Sequence, residues 1–429
     1  RRRRIPPGRV GNVRRSRRAR VLRELRSCAG RATAASLAAV VLAACSDAPP
    51  ARTEEVPPHP TRSVRDLAAL GYAQWDDTAD EARDTVVHDP DRVHPGPRAW
   101  ADDRSTLRVI DVDGRTLRTI EVPGREQVEF ARFLPGGRIA CVGVDEGLTL
   151  LEADGSVAWN LDVACHHEVA VVPDGSAAGE RTFALAVHGA RPWRGRSVRF
   201  DEVLFVDEAT GAPSEAIERW STFEHRAELL ERAGGPHPLD DPPTEAAEAR
   251  TTGTTYDYFH LNSIAFDGPG SMLVCLRNVD LVVRVDLATR ALGPGLGPGV
   301  LDWPHAPSVI ERDGRSAVLV FDNGYHRGWS RAVELDPRTG EVIWEYRGTP
   351  DRPLFSRVRG YVERLPNGNS LVTESQRGRV LEVTDAGEVV WEHWNPELRE
   401  TAVGLSRRRI YRMTALPRAP DLRSGTGGR

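Results

Sequence analysis

One pattern recurs along this chain and limits its fold more than any other feature. Phe130-Ala131-Arg132-Phe133-Leu134-Pro135-Gly136-Gly137-Arg138-Ile139 reads much like Tyr361-Val362-Glu363-Arg364-Leu365-Pro366-Asn367-Gly368-Asn369-Ser370-Leu371. Each continues through further strand-like runs and a turn to a tryptophan: Ala153-Asp154-Gly155 before Trp159, and Asp385-Ala386-Gly387 before Trp391. Related units open at His166, His260 and His305, with turns at Pro173-Asp174-Gly175, Asp267-Gly268 and Asp313-Gly314, the last closing at Trp344. A strand–turn–strand unit repeating every roughly 40–50 residues is the signature of β-propeller blades, each burying its faces against its neighbours. The expected fold class is therefore all-β.

Units starting near 128, 166, 260, 305 and 358 give five blades. A sixth can be assembled from residues 107–122 and the C-terminal run 409–416, so that the two ends share a blade and close the ring without exposed strand edges. Six blades is the expected count, with seven as the alternative. The span from His166 to His260 is long for one simple blade. Residues 223–255, helix-like over 223–232 and then rich in Gly, Pro and acidic residues, read as an insertion within a propeller of residues 105–417. Residues 418–429 read as a disordered tail.

The N-terminal segment has a different character. Residues 1–44 hold 13 Arg and one acidic residue, while the whole chain of 429 residues is at −4, leaving the remainder near −16. The Arg-rich stretch precedes a short apolar run ending in Leu42-Ala43-Ala44-Cys45. That run is too short to span a bilayer comfortably and has the charged flank of a signal peptide. Leu-Ala-Ala-Cys resembles the bacterial lipobox, in which the cysteine is lipidated. The expected order is an export signal over 1–45, a Pro/Ala/Thr-rich tether over 46–60, and a short amphipathic helix with lead-in over 61–104. These features make the protein an exported, periplasmic or cell-surface lipoprotein held to a membrane by a lipid anchor at Cys45.

Charge and cysteine narrow the function. An acidic body argues against nucleic acid as a partner, since phosphate binding needs clustered basic charge. Beyond Cys45 only Cys141, Cys165 and Cys275 remain, each inside an apolar run, and no CxxC pair exists. Buried free thiols, with at most one disulfide, are expected, and a structural zinc knuckle is not.

The chemistry-bearing residues fall at one repeat position. His167, His260 and His305 each stand at the start of the first, innermost strand of a unit, which would bring them together at one mouth of the central channel. His166 is adjacent, but strand alternation puts it on the face opposite His167, so His167 is preferred and both are retained. Arg277 ends the second strand of the His260 unit and can hold an oxyanion through forked hydrogen bonds. Asn262 shares a strand face with His260 and can donate an amide N–H.

These segments resemble the bacterial arylsulfotransferase family over roughly residues 85–417. The resemblance is strongest in His166-His167-Glu168, in Phe259-His260-Leu261-Asn262-Ser263 with Arg277, and in Trp303-Pro304-His305-Ala306. It extends to Leu365-Pro366-Asn367-Gly368-Asn369 and Gly387-Glu388-Val389-Val390-Trp391-Glu392. It implies a six-bladed propeller outside the cytoplasm that moves sulfuryl groups from phenolic sulfate esters to phenols, without a nucleotide sulfate donor or other cofactor. It also implies that His305 is the nucleophile that becomes sulfated. His260, Arg277 and one of His166 and His167 then surround the sulfuryl oxygens, with Asn262 beside them. One position departs: the family usually has glutamine before the nucleophile, where this chain has Pro304.

Neutral imidazole is a competent nucleophile near neutral pH, and transfer through it predicts ping-pong kinetics. Two other readings are open to the same residues. Three histidines at a channel mouth could bind zinc for lyase or hydrolase chemistry. A surface-tethered propeller could also be a binding module with no catalysis. A quinone-cofactor propeller lacks its expected vicinal cysteines here. The sequence leaves a homodimer open.

Overall fold

The computed structural model describes residues 85–417, except 103, 174–180, 238–250, 253–254, 351 and 402–403. The export signal, Cys45, the tether, the helix expected after residue 60, and the tail beyond 417 all lie outside the described residues.

Among the described residues, six largely antiparallel sheets of four or more strands follow one another in chain order, with two two-stranded ribbons besides. Blade 1 holds Arg98–Ala101, Thr106–Ile110 and Thr116–Glu121. Blade 2 spans Val128–Phe133 to Val157–Leu161, blade 4 Leu261–Phe266 to Leu292–Leu296, and blade 5 Pro304–Arg312 to Val342–Tyr346. Blade 6 spans Tyr361–Arg364 to Val389–Trp394. Blade 3 is built on Cys165–Val171, Thr182–Trp193 and Arg196–Asp207.

Closure uses both ends of the domain. Thr414–Ala415 forms the innermost strand of blade 1, with Ala99 opposite Thr414 and Arg98 opposite Ala415. Val86–Val87 adds to the outer edge of blade 6 beside Val389–Trp394. The expected partner of the C-terminal strand was the stretch 107–120. Instead Arg98–Ala101 intervenes, and Thr106–Ile110 is the next strand out. The propeller thus begins before residue 105, because Arg98-Ala99-Trp100-Ala101 is fully buried and paired on both sides.

The burial pattern explains why six sheets hold together. The larger hydrophobic clusters lie at the blade interfaces. Leu107, Ile120, Ile139 and Leu151 join blades 1 and 2. Leu319, Phe321, Val362 and Val372 join blades 5 and 6, and Trp100, Ile110, Val380 and Trp391 close the ring between blades 6 and 1. The tryptophans that mark the sequence repeat add a polar clasp to three of these interfaces. Trp159 Nε1 donates to the Glu208 carbonyl of blade 3 at 2.9 Å, Trp344 to Asp385 of blade 6 at 2.8 Å, and Trp391 to Val112 of blade 1 at 2.7 Å.

Blade 3 accounts for the long gap between His166 and His260. Its second and third strands are 12 residues each. The expected insertion supplies helix Arg226–Arg232 and returns as Thr251–Thr252 and Thr255–Asp257, the latter pairing in parallel with Arg196–Asp207. Cys141, Cys165 and Cys275 are buried free thiols. Burial raises all three thiol pKa values, so none is a thiolate at neutral pH.

A candidate active site at the propeller mouth

The innermost strands of blades 2 to 5 share a local irregularity. Each loses register with its neighbour near its start: at Glu129, at His167–Glu168, at Asn262, and between His305 and Ser308. Such bulges bend a strand and re-aim its side chains. Four residues here adopt left-handed backbone angles: His167 (φ 59°), His260 (φ 55°), Trp303 (φ 59°) and Ala306 (φ 48°). Non-glycine residues hold that conformation only where their surroundings over-determine it, and such positions cluster at functional sites.

The result is convergence. One ring nitrogen from each of His167, His260 and His305 lies within 4.8 Å of the others. The rings of His167 and His260 meet edge to face at 5.0 Å, and those of His167 and His305 are 6.5 Å apart. His305 is 1% exposed, whereas the His167 and His260 side chains retain 14% and 12%, a narrow opening to solvent.

Every one of the three imidazoles is held by its Nδ1. His305 Nδ1 lies 2.5 Å from Asn323 Oδ1, with the Trp303 carbonyl at 3.3 Å. Asn323 has no freedom to turn, because its amide donates to the carbonyls of Ser356 and Arg359 at 2.5 and 2.6 Å. The next residue, Gly324, has φ 67°, and a Cβ there would sit 1.8 Å from the Trp329 carbonyl oxygen, so only glycine lets the chain leave Asn323 in this direction. His260 Nδ1 forms a short hydrogen bond with Asp257 Oδ2. His167 Nδ1 lies 2.9 Å from His166 Nδ1. In each ring Nε2 is the atom left for a ligand.

Arg277 stands beside them. It opens the 3-10 turn Arg277–Val279, one residue past the strand it was expected to end. Its guanidinium stacks 4.4 Å over the Trp303 ring and lies 3.8 Å from Asp257 Oδ2, with Nε on Asn278 Oδ1 at 3.1 Å. Asn262 is placed differently from its expected role. It is fully buried, its amide donates to the Pro304 carbonyl at 2.7 Å, and it ties blade 4 to blade 5 behind His305. That donor is committed, so Asn262 braces the strand that carries His305.

His166 also departs from simple alternation. Left-handed geometry at His167 brings the two neighbouring Nδ1 atoms together, and His166 sits behind the cluster, 2% exposed and stacked on His188 at 3.7 Å. A buried ion-pair network adjoins the cluster. Arg412 bonds Glu168 at 2.5 Å and the Asn262 carbonyl at 3.2 Å, while Arg132 takes the other Glu168 oxygen at 3.0 Å. Tyr411, with its ring 6.0 Å from His167 and a hydroxyl lacking a hydrogen-bond partner, closes another side.

These surroundings set the protonation states. Burial, then Arg277 and His260, hold the His305 imidazole well below the usual histidine range. Burial, then His166, His260, His305 and Arg412, do the same to His167. His260 is lowered by burial and by Arg277, against the opposing pull of Asp257. For Asp257, burial works against ionisation but its pairing with His260 outweighs it, and the carboxyl stays below its ordinary value. The pocket thus presents neutral imidazoles, one of them backed by a carboxylate, beside a fixed guanidinium.

Asp257 and Asn323 carried no assigned role in the sequence reading. Both signals were present: Asp257 is three residues before His260, and Asn323 directly follows the strand Arg315–Asp322 that pairs with Pro304–Arg312.

Comparison with known proteins adds a family. A model of the arylsulfotransferase (ASST) family matches residues 147–396, more than half of the chain and all of the clustered histidines. No curated protein matches the chain. Among solved structures, a protein of unknown function from Bacteroides caccae is 15% identical, covering 70% of this chain and 93% of its own, with a TM-score of 0.46. The WD40 β-propeller domain of Doa1 is 10% identical, covering 78% of this chain and 92% of its own, with a TM-score of 0.42.

Proposed function

Because the chain belongs to the arylsulfotransferase family, and on that ground is a transferase acting on aryl sulfates and phenols, we propose that it moves the sulfuryl group by way of a sulfo-histidine at His305. The observation that carries this reading is the fixing of His305 Nδ1 by Asn323. With Nδ1–H donated to Oδ1, the lone pair resides on Nε2, a neutral nucleophile beside a guanidinium.

The cycle follows from the geometry. Nε2 of His305 attacks sulfur, the N–S bond forms, and the S–O bond to the aryl group breaks. Charge that builds on the sulfuryl oxygens is met by Arg277 and by His260. In the free pocket His260 is neutral, but an anionic sulfate ester beside an imidazole already paired with Asp257 favours its protonated form, which donates from Nε2. His167 Nε2–H passes its proton to the leaving phenolate as Nδ1 gains another from the side of His166, so the imidazole stays neutral. A phenol then enters, gives its proton to His167, attacks sulfur, and frees His305. No nucleotide donor takes part. A chromogenic aryl sulfate assayed with and without a phenol acceptor tests this directly. Release of the phenol that depends on the acceptor, with ping-pong kinetics, supports it, and acceptor-independent hydrolysis with no sulfated product contradicts it.

The same convergence of ring nitrogens within 4.8 Å is also the geometry of a three-histidine metal site with an open fourth position. An adjacent guanidinium opposes a dication there. Metal analysis of the purified protein and a chelator test of turnover separate the two readings.

We also propose that Cys45 is the lipidated residue of an exported lipoprotein, supported by Leu42-Ala43-Ala44-Cys45 after an Arg-rich segment. Wild-type protein is then expected in the membrane fraction and Cys45→Ser outside it. Recovery of unlipidated wild-type protein contradicts the anchor.

A further inference from the structure

Behind the three facing imidazoles lies a second group of titratable side chains that the transfer chemistry leaves without a task. His166, His188 and Asp201 are brought together by strand register: His188 pairs across the sheet with Asp201, and Ala186, two residues earlier, pairs with His166. Asp201 is wholly buried, and its Oδ2 accepts the backbone N–H of Leu261 at 2.7 Å, next to His260. Its Oδ1 accepts from His188 Nδ1 at 2.8 Å and lies 3.5 Å from His166 Nε2. The outer nitrogen of His188, Nε2, is 3.3 Å from Oδ1 of Asp145, whose side chain is 58% exposed. On the inner side, His166 Nδ1 is 2.9 Å from His167 Nδ1.

Titratable nitrogen and oxygen atoms therefore follow one another from solvent to the pocket at separations of 3.3, 2.8, 3.5 and 2.9 Å. The group is poorly arranged for a metal: the His166 and His188 rings stack 11° from parallel, so their in-plane lone pairs do not converge on one point. We propose that Asp145, His188, Asp201 and His166 form a proton relay that connects solvent to His167 during sulfuryl transfer. The proposal rests on the sulfuryl-transfer reading above.

The protons balance. At rest, His188 and His166 carry hydrogen on Nδ1, and His167 carries it on Nε2. His166 Nε2 then has only a lone pair to present to Asp201, which accounts for the 3.5 Å separation and for the absence of a hydrogen-bond partner at that atom. When the phenolate leaves, His167 Nε2 gives up its proton and Nδ1 takes one from His166. His166 Nε2 takes one from Asp201, Asp201 takes the Nδ1 proton of His188, and a proton from solvent reaches His188 Nε2 by way of Asp145. Every imidazole gains at one nitrogen and loses at the other. The acceptor phenol then drives one proton outward along the same atoms and returns each ring to its first tautomer. Burial keeps His188 below the ordinary imidazole range, so it passes protons without storing one at neutral pH. The other groups facing this line are Glu129, Tyr411, His260, His305 and Arg412 around His167, and Arg199 near His188.

The test uses the full-length protein, Asp145→Asn at the exposed end and His188→Gln within the line. A relay matters most when the leaving group needs a proton. With phenyl sulfate as donor, kcat is expected to fall on the order of 10-fold or more in both variants, and with 4-nitrophenyl sulfate only about 2-fold or less. Equal losses on both donors, or no loss on either, overturn the relay. A second arm needs no turnover. In 15N-histidine spectra of the wild type, the ring nitrogens of His166 and His167 are expected to move with those of His188 as pH falls. In His188→Gln that shared transition should vanish from His166 and His167, and its persistence there overturns the proposal. If wild-type protein turns over neither sulfate, the transfer reading fails, and the spectra alone still decide the relay.

Discussion

The Nδ1 of His305 and the Oδ1 of Asn323 are 2.5 Å apart, and Asn323 is itself pinned by two backbone carbonyls. This pair fixes Nδ1 as the nitrogen that carries hydrogen and leaves the lone pair on Nε2, the atom the proposed attack requires. Asn323→Ala leaves only the longer contact to the Trp303 carbonyl, and the ring loses both its tautomer preference and its orientation. Sulfation of His305 should slow roughly 10- to 100-fold, as when other oriented imidazoles lose their partner. Asn323→Asp keeps the acceptor and should recover much of the rate. Because a carboxylate favours the imidazolium, its acid limb should lie at higher pH. Single-turnover kinetics of the two variants check both statements.

The depressed basicity of His305 has a defined direction. A nucleophile held well below the usual histidine range stays neutral at mildly acidic pH. The acid limb of kcat/KM is therefore expected below the ordinary imidazole value of about 6.5. Arg277→Gln removes one of the charges that depress His305 and His260. It should lower kcat on the order of 10²–10³ through lost oxyanion stabilisation and move the acid limb upward. A pH–rate profile that falls at the same pH in both proteins contradicts the assigned cause.

Asp257 is expected to act through His260. In Asp257→Asn the short hydrogen bond to Nδ1 no longer favours the imidazolium when the sulfate binds. Turnover should fall by roughly 10²-fold while labelling of His305 persists, since neither residue forms the bond to sulfur. His260→Ala should behave alike, and the double variant should lose no more than either single change.

How much of this was legible beforehand can be read from particular residues. The blade count was available because the turns before Trp159 and Trp391 repeat, and those tryptophans prove to be the clasps between blades. The start of the domain was not, because Val86-Val87 is too short to announce itself as a strand and becomes one only by pairing with blade 6. The three histidines were visible as repeat positions. Their mutual geometry was not, since it depends on bulges and left-handed angles at His167 and His260 that period-two reasoning cannot anticipate. That is also why His166 and His167 were set on opposite faces, and why Asn262 was given a substrate instead of the Pro304 carbonyl. The inner partners His188 and Asp201 come from the long hairpin of blade 3, whose register had no sequence marker.

Stability should carry its own pH signature at His393. This ring is buried against Trp391 and Trp100, and burial, then Arg98 and Arg407, push its pKa down to about 4. The unfolded chain binds a proton there from about pH 6.5 downward, whereas the folded chain does not until about pH 4. The unfolded state holds more protons in that window, so this contribution is complete above pH 6.5 and is lost as pH falls toward 4. At full extent the loss is about 3 kcal/mol. Urea midpoints at pH 7.5 and 4.5 should therefore separate by less in His393→Phe than in the wild type, and equal separations contradict the assignment.

The central claim is that His305 carries the sulfuryl group. Incubation of the protein with an aryl sulfate and no phenol, followed by peptide mass spectrometry under conditions that preserve the N–S bond, tests it most directly. The account predicts one sulfuryl group on the peptide containing His305, discharged by added phenol, absent in His305→Ala, and still formed, more slowly, in His260→Ala and Arg277→Ala. A label on any other residue, or undiminished turnover by His305→Ala, contradicts it.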